Sequence, residues 1–330
     1  MMIRDWQRAF RGFYPTENPP QDFISRFLFS ARSIILVISA QAATIGGLMA
    51  LIDRRFDTLR FVLVLYALVS LHAVSNLSND YFDYRRGRDT PDSPRRRYTL
   101  HPIADDVMSR KQVLASLTVL VGIDLAIALL FAHWVGVGAL AYAAAGMAIL
   151  ILYDATPMSL KEIGLGELAS FLVWGPLMIS GAYFAITGGF SKQALVASIP
   201  YGLGVMTVLV GKHIDQADFD RAHHIYTLPV ILGDTASRWL EICLIAAMYL
   251  CIGLAVVAWI LPWGTLLVLV NLPQAWRAIR VLAASRPSGP PAGYVGWPLW
   301  YHRAGLRHNR SFGWLYIGGM LLAVLWQQLA

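Results

Sequence analysis

Long apolar stretches separated by short polar segments dominate this chain. A transmembrane helix needs about 20 mainly apolar residues, and nine stretches come within a few residues of that length. They lie near residues 32–52, 59–79, 111–131, 134–153, 167–187, 194–212, 237–259, 261–282 and 312–329. The third and fourth are divided only by a short turn, and Asn271, Pro273 and Arg277 interrupt the eighth. The pattern predicts an all-α polytopic membrane protein of about nine transmembrane helices, with residues 1–330 as a single domain.

Composition supports a membrane protein and excludes other classes. Of the 330 residues, 57% are hydrophobic and 14% are charged, whereas soluble domains carry about 25% charged residues. Disordered chains are polar and poor in aromatic residues, but 12% of this chain is aromatic. The net charge of +7 is spread between apolar stretches rather than gathered on a basic face, so we expect no nucleic-acid partner.

The basic residues predict an orientation. With nine spans, 23 of the 27 Lys and Arg residues fall on the side of the N-terminus, and loops rich in Lys and Arg stay in the cytoplasm. We therefore expect a multi-pass protein of the cytoplasmic membrane, with its N-terminus inside and its C-terminus outside. Residues 1–30 form a cytoplasmic segment, which is either an interfacial amphipathic helix or a polar tail.

Carboxylates cluster at the cytoplasmic ends of two predicted spans. If helix 2 continues through its polar end, Asn76, Asp80 and Asp83 lie at i, i+4 and i+7 and share one face. At the end of helix 6, Asp215 and Asp218 share a face, and Asp220 follows. One interpretation is that these acids only balance nearby arginines in a solvated loop. The occurrence of two clusters at equivalent helix ends favours a functional site instead.

Several carboxylates beside Lys and Arg suit a magnesium-bound diphosphate. Mg²⁺ is held by a few carboxylates together with substrate phosphates, and Lys and Arg bind phosphate oxygens. A membrane cavity suits a diphosphate with an apolar tail. Such a site predicts Mg²⁺-assisted breaking of an allylic C–O bond, in a pocket where aromatic faces stabilise the developing cation.

Three segments resemble the UbiA superfamily of intramembrane prenyltransferases. NLSNDYFDYRRGRD at 76–89 resembles the first aspartate-rich motif of that family, and is most similar to the menaquinone-pathway branch that prenylates dihydroxynaphthoate. GKHIDQADFDRAHHIYTLPVILGD at 211–234 resembles the second motif, and YDATPMSLKEIGLGE at 153–167 resembles the loop between helices 4 and 5. The resemblance implies helices around a central cavity that opens to the cytoplasm, and transfer of a polyprenyl group from its diphosphate to an aromatic quinone precursor.

The resemblance also implies roles for individual residues. The expected Mg²⁺ and diphosphate ligands are Asn76, Asp80, Asp83, Asp215, Asp218 and Asp220, and among the last three the choice is open. Direct diphosphate contacts are expected from Lys161, Lys212 and Arg221, and Tyr153 is expected to face the acceptor or the reacting carbon. Two positions depart from the common motifs, because Gly87 and Gln216 stand where the family commonly has carboxylates.

Other polar residues have simpler interpretations. We expect Asp124 to be a hydrogen-bonded interior residue and His72 to be a satisfied packing residue, although either could line the cavity. His213 is a candidate general base, and Glu167 is expected to begin helix 5. Arg95, Arg96 and Arg97 are interpreted as positively charged anchors on the cytoplasmic side.

Two alternative functions are open. An intramembrane terpene cyclase would use the same motifs and ionisation but quench the cation within the substrate. A lipid-binding protein or transporter is the non-enzymatic alternative, and it predicts broken helices at mid-membrane.

Overall fold

A computed structural model of the protein describes residues 2–10, 19–156 and 159–329. Residues 11–18 of the predicted N-terminal segment, and residues 157 and 158 of the 153–167 motif, lie outside this description. Two short helices precede the membrane helices, α1 (Met2–Ala9) and α2 (Phe23–Ser30). Most of the described residues of the N-terminal segment are therefore helical, and their predicted position at the membrane interface stays a prediction.

Helices account for most of the described chain. The longer ones are α3 (Ser33–Ile52), α4 (Thr58–Arg85), α5 (Arg110–Val135), α6 (Gly138–Asp154), α9 (Lys192–Ala222), α11 (Asp234–Val257), α12 (Leu272–Ala283) and α13 (Tyr301–Leu329). The shorter ones are α7 (Gly166–Leu172), α8 (Gly181–Thr187) and α10 (Leu228–Leu232). Within the described residues, eight helical segments are long and apolar enough to cross a bilayer. The ninth, α6, has 17 residues. The predicted polytopic all-α fold is confirmed.

Local sequence explains where several of these helices begin and end. The side chains of Asp57 and Ser191 accept hydrogen bonds from the first turns of α4 and α9, which satisfies backbone N–H groups that would otherwise be unpaired. Helix α5 ends at Gly136, whose φ of 90° is costly for other residues. The fifth span runs from α7 to α8 through a π-helical segment, Val173–Ser180, because Pro176 lacks the N–H that a continuous α-helix requires there.

The last two spans differ from the prediction. The eighth begins with a 3₁₀ segment, Trp263–Asn271, and becomes α-helical at Leu272, with Pro273 in the first turn of α12. The ninth was predicted to begin at residue 312, but α13 begins at Tyr301. Three arginines assigned to a cytoplasmic loop, Arg303, Arg307 and Arg310, therefore lie within a helix.

Helix α9 lies at the centre of the bundle, packed against α3, α11, α13 and the π-helical segment. Small residues allow close helix contacts, as is common in membrane bundles. A Cβ on Gly264 would lie only 2.4 Å from the carbonyl oxygen of Gly319. Gly211 similarly meets the backbone of Tyr301 and so brings the start of α13 against the end of α9. These contacts help to position the two helices whose ends border the candidate site.

Candidate active site

Two adjoining cavities lie inside the bundle. The larger has a volume of about 460 Å³ and is mainly apolar, with Phe131, Tyr142 and Trp174 among its lining residues. The smaller, about 80 Å³, is lined mainly by charged and polar side chains from the ends of α4 and α9 and from nearby loops. We call them the apolar cavity and the polar pocket. Arg32, Lys212 and several other residues line both, so a molecule with a charged head and an apolar tail can occupy the two together.

The first acid cluster lies on α4, which continues through the motif to Arg85. The helix places Asp80 and Asp83 one turn apart, and both line the polar pocket. Asp80 is buried and accepts hydrogen bonds from two arginines. Arg32 Nη2 lies 2.5 Å from Asp80 Oδ1, and Arg95 Nη1 lies 2.6 and 2.7 Å from the two carboxylate oxygens. The structure thus places both acids at the wall of one pocket, and their predicted role as metal and diphosphate ligands stays a prediction.

Asp83 is paired with a lysine from the loop between α6 and α7. The Nζ atom of Lys161 lies 2.9 and 3.2 Å from the two carboxylate oxygens. Lys161 lies in a short 3₁₀ turn, Leu160–Ile163. The structure thus brings together two of the predicted residues that are 78 positions apart.

The neighbouring Glu162 fixes that turn against the end of α4. Its carboxylate lies 2.5 Å from Arg88 Nη1 and 3.5 Å from Arg86 Nη1. Burial raises the pKa of Glu162, but the hydrogen bonds from Arg88 and Ser159 and the charges of the two arginines outweigh this, so the pKa lies below its ordinary value. This ion pair orients the loop that carries Lys161.

The second cluster contributes a different face of its helix from the one predicted. Lys212, Gln216 and Asp220 are spaced by four residues on α9, and all three line the polar pocket. Asp220 is buried, with its Oδ2 atom 3.5 Å from the Thr227 hydroxyl. Residues four apart lie on one helix face, so the position where the family resemblance implied a second acid does face the pocket. In this chain it holds the amide of Gln216.

The prediction that Asp215 faces the site is wrong. Its carboxylate accepts hydrogen bonds from the backbone N–H groups of Tyr301 and His302, at 3.1 and 2.9 Å, and is buried. Backbone N–H groups at a helix start have no partner within the helix and favour an acid. Asp215 therefore caps the first turn of α13 and is not part of the polar pocket lining.

The predictions for Asp218 and Arg221 are also wrong. The Asp218 side chain is 90% exposed and forms an ion pair at 3.7 Å with Arg221, which is itself exposed. A separation of two residues on α9 turns Asp218 about 200° away from Asp220. Both side chains lie outside the described pocket lining.

Two arginines at the site were missed or misinterpreted. Arg32 precedes α3 in a left-handed conformation with φ 56°, and nothing in the local sequence signals that its side chain reaches Asp80. Arg95 was interpreted as a positively charged anchor on the cytoplasmic side, but it is buried in a 3₁₀ turn of the 86–109 loop and donates hydrogen bonds to Asp80. Burial and the neighbouring Arg32 charge lower the pKa of Arg95, while Asp80 raises it. The one sequence feature that indicates contact between Arg95 and Asp80 is that this basic loop directly follows the first acid motif.

Asn76 and Tyr153 both line the apolar cavity. Asn76 lies one turn before Asp80 and donates a hydrogen bond from Nδ2 to the carbonyl oxygen of Ala31 at 2.9 Å. The hydrogen-bonded interior role predicted for Asp124 is confirmed, because Ser70 donates to its Oδ2 atom at 2.8 Å. Asp124 and His72 also line the apolar cavity.

His213 lines the polar pocket, and its Nδ1 atom lies 2.7 Å from Glu167. Glu167 lies in the first turn of α7 as predicted, and also accepts a hydrogen bond from the backbone N–H of Leu228 at 3.2 Å. This pairing orients the His213 imidazole at the pocket wall.

The residues of the polar pocket fit a magnesium ion held jointly with a substrate. In the described chain, no three carboxylate, imidazole or thiol groups are close enough together to enclose a metal by themselves. The pocket nevertheless presents carboxylate oxygens from two helices, Asp80 and Asp83 on α4 and Asp220 on α9. Mg²⁺ commonly uses one or two carboxylates and completes its shell with water and phosphate oxygens. The donor set suits that arrangement.

Basic side chains outnumber acids in the described lining of this pocket. It includes five Lys and Arg side chains, Arg32, Arg88, Arg95, Lys161 and Lys212, and four Asp side chains, Asp80, Asp83, Asp89 and Asp220. If Asp80 or Asp83 turned to a metal, it would release a guanidinium or ammonium group for another anion. The electrostatics therefore favour a metal and a polyanion binding together.

Comparison with known sequences identifies similar proteins. The sequence model of the UbiA prenyltransferase family matches residues 40–303. The chain is 28% identical over 224 residues to the 2-carboxy-1,4-naphthoquinone phytyltransferase of Synechocystis sp., covering 67% of this chain and 70% of that protein. It is 24% identical over 268 residues to the 1,4-dihydroxy-2-naphthoate octaprenyltransferase of Bacillus subtilis, covering 79% of this chain and 84% of that one.

Solved structures share the fold. A UbiA homologue from Archaeoglobus fulgidus, bound to GPP and Mg²⁺, superposes with a TM-score of 0.61 at 15% identity, covering 91% of this chain and 99% of that chain. The apo structure of a UbiA homologue from Aeropyrum pernix gives a TM-score of 0.57 at 20% identity, covering 89% and 98%. At these identities the likeness concerns the arrangement of helices.

Proposed function

The chain belongs to the UbiA prenyltransferase family and is a membrane-embedded prenyltransferase, and we propose that it transfers a polyprenyl group from its diphosphate to a hydroxynaphthoate-like aromatic acceptor. One observation carries the proposal. Carboxylates from α4 and α9, surrounded by a larger number of cations, lie where a polar pocket meets an apolar cavity. This is the charge pattern that a prenyl diphosphate requires.

The diphosphate is proposed to lie in the polar pocket. Lys161, Lys212, Arg32 and Arg95 supply ammonium and guanidinium donors for its oxygens. Asp80, Asp83 and Asp220 would hold Mg²⁺, which when bound draws negative charge from the diphosphate as the allylic C–O bond weakens. The ion pairs of buried Asp80 and half-buried Asp83 keep their charges compensated until the substrate binds.

The prenyl chain is proposed to lie in the apolar cavity, which is continuous with the pocket through shared lining residues. Positive charge that develops on the first prenyl carbon meets a wall that includes Tyr98, Tyr153 and Trp174. Aromatic faces stabilise such charge without reacting as strong nucleophiles. A carboxylate beside the developing cation could react with it in place of the acceptor. The described cavity lining contains one acid, Asp124, and Ser70 donates a hydrogen bond to it.

The acceptor class rests on the relatives. The names of two similar proteins specify a carboxylated naphthoquinone and a dihydroxynaphthoate. We propose an acceptor of that kind, activated by ring hydroxyl groups. We also propose that the end of the bundle bearing the polar pocket faces the cytoplasm, because the sequence assigns 20 of the 27 basic residues to that side even without the three arginines in the first turns of α13.

The test uses the full chain, purified into lipid nanodiscs, with Mg²⁺, a polyprenyl diphosphate and 1,4-dihydroxy-2-naphthoate. We expect release of diphosphate together with a prenylated naphthoid product, and loss of both on chelation with EDTA. A cyclic hydrocarbon formed from the diphosphate alone would instead identify a cyclase. Absence of diphosphate release with prenyl donors of every length tested would contradict the enzymatic proposal.

A further inference from the structure

Three arginines extend into the membrane part of the bundle along one side of α13. Arg303, Arg307 and Arg310 lie at i, i+4 and i+7, and all three line the apolar cavity. Charged residues within membrane helices are costly and commonly mark a functional site facing a cavity. Here they face a cavity whose described lining contains a single acidic residue, Asp124.

Two of the three guanidinium groups have no assigned partner. Arg303 is engaged, because it donates to the carbonyl oxygen of Val295 and lies over the ring of Tyr294, 4.8 Å from the centroid. Among the described residues, the Arg307 and Arg310 side chains have no hydrogen-bond or carboxylate partner. Asp124, the acid in the same cavity, is hydrogen-bonded to Ser70 instead.

These two arginines lie below the diphosphate position. Arg32, which contacts Asp80, is nine residues before Gln41 on α3, a separation of roughly 14 Å along a helix. Gln41 donates a hydrogen bond to the carbonyl oxygen of Arg310 at 3.0 Å. Arg307 lies one turn closer to the polar pocket, and helical side chains lean toward the N-terminus of their helix. The backbone of α13 at Arg307 and Arg310 therefore lies deeper in the bundle than the phosphate position, and the Arg307 side chain extends from there toward the polar pocket.

We propose that Arg307 and Arg310 bind the carboxylate of the aromatic acceptor and hold its ring beside the reacting prenyl carbon. A prenyl chain is a hydrocarbon and offers nothing to a guanidinium, and the diphosphate already has its own cations in the polar pocket. The planar guanidinium fork matches a carboxylate, and such charge-assisted pairs are strong. The inference rests on the proposed function and adds the residues that select an acidic acceptor.

The test compares two acceptors that differ only in the carboxylate, 1,4-dihydroxy-2-naphthoate and 1,4-dihydroxynaphthalene, at saturating prenyl diphosphate. Arg307→Gln and Arg310→Gln are each expected to raise KM for the acid roughly 10- to 100-fold, the value of a hydrogen bond to a charged group. The KM for the prenyl diphosphate and the KM for the acceptor without a carboxylate should stay unchanged. Arg307→Lys keeps the charge without the fork and should lose less affinity than Arg307→Gln.

Arg277→Gln is the matched control, because Arg277 is exposed on α12 and outside the cavity lining. Binding of 1,4-dihydroxy-2-naphthoate, followed by tryptophan fluorescence without Mg²⁺, separates acceptor affinity from turnover. A rise in KM for the prenyl diphosphate, or an equal change for both acceptors, would overturn the proposal. So would variants that lose only a dependence on anionic lipid, because the arginines would then serve a lipid phosphate. Wild-type protein that releases no diphosphate would contradict the proposed function itself, whereas active variants with unchanged KM would contradict this inference alone.

Discussion

The polar ends of α4 and α9 carry similar acidic sequences but use them differently. On α4, Asp80 and Asp83 both line the polar pocket and pair with Arg32, Arg95 and Lys161. On α9, only Asp220 of the three acids lines the pocket. Asp215 caps α13, and Asp218 is exposed.

The difference shows that a shared helix face does not reveal what that face meets. The α4 acids turn toward cations supplied by two loops and by the start of α3. Helix α9 lies at the centre of the bundle, so different faces of it meet different neighbours. One face meets the pocket, one meets the backbone N–H groups that begin α13, and one meets solvent. An acid is stabilised in each place by a different partner, and only one of these places is a binding site.

The largest effect is expected from removing an α4 acid. Asp83→Asn should lower kcat/KM for diphosphate release roughly 100- to 1,000-fold, comparable to the loss of a group that stabilises charge in a transition state. The matched control is Asp218→Asn on α9, which should leave kcat/KM unchanged because that side chain is exposed. Steady-state kinetics at saturating Mg²⁺ measure both, and comparable losses in the two variants would refute the assignment of faces.

The second prediction distinguishes the roles of the two buried acids of α9, Asp220 and Asp215. Asp220→Asn should lower kcat/KM by about 10- to 100-fold through weaker metal binding. Asp215→Asn should leave kcat largely intact but lower the free energy of unfolding by about 1–3 kcal/mol, because charged acceptors of two backbone N–H groups are lost. Thermal unfolding in nanodiscs, together with kinetics, distinguishes the two. A stable but inactive Asp215→Asn enzyme would show that Asp215 acts in the active site and does not merely cap α13.

A smaller effect is expected where α9 lacks an acid. Gln216→Asp adds a third charge to the face shared with Lys212 and Asp220, and should reduce the Mg²⁺ concentration needed for half-maximal activity by a few fold, since metal affinity depends on ligand charge. A Mg²⁺ titration of diphosphate release measures this. Ala217→Asp, one position further along α9, is the control, and an equal shift there would indicate a general charge effect.

The smallest effect concerns the loop that supplies Lys161 to α4. The pKa of Glu162 is lowered in the folded protein, so its ion pair stabilises the fold above the ordinary pKa of about 4.5 and this contribution is lost as pH falls through the lowered value. Glu162→Gln should therefore lower the free energy of unfolding at pH 7 by about 1 kcal/mol or less. A thermal unfolding scan should show this as a lower Tm. The difference from wild type should shrink at acidic pH. A difference that grew on acidification would contradict the ion pair.

Much of the fold could be predicted from local pattern. The nine apolar stretches correspond to helices because a backbone in lipid must satisfy its own hydrogen bonds. The shared face of Asn76, Asp80 and Asp83 was conditional on α4 continuing through the motif, and the helix does continue to Arg85. The start of α13 could not be predicted, because its first turns carry Arg303 and Arg307, and arginines in a sequence are typical of a basic loop. Only the folded structure shows that these side chains line a cavity.

The amino-acid sequence determined the class of protein, the positions of its apolar helices and the residue types of the site, because hydrophobicity and helical periodicity are local properties. The tertiary structure decided which of these residues meet. In the folded protein Arg32 and Arg95 bind Asp80, and Gln216 and Asp220 line the polar pocket. Asp215 instead accepts hydrogen bonds from the backbone at the start of α13. Those choices depend on which neighbours each helix face contacts, and contacts between distant segments arise only when the helices pack.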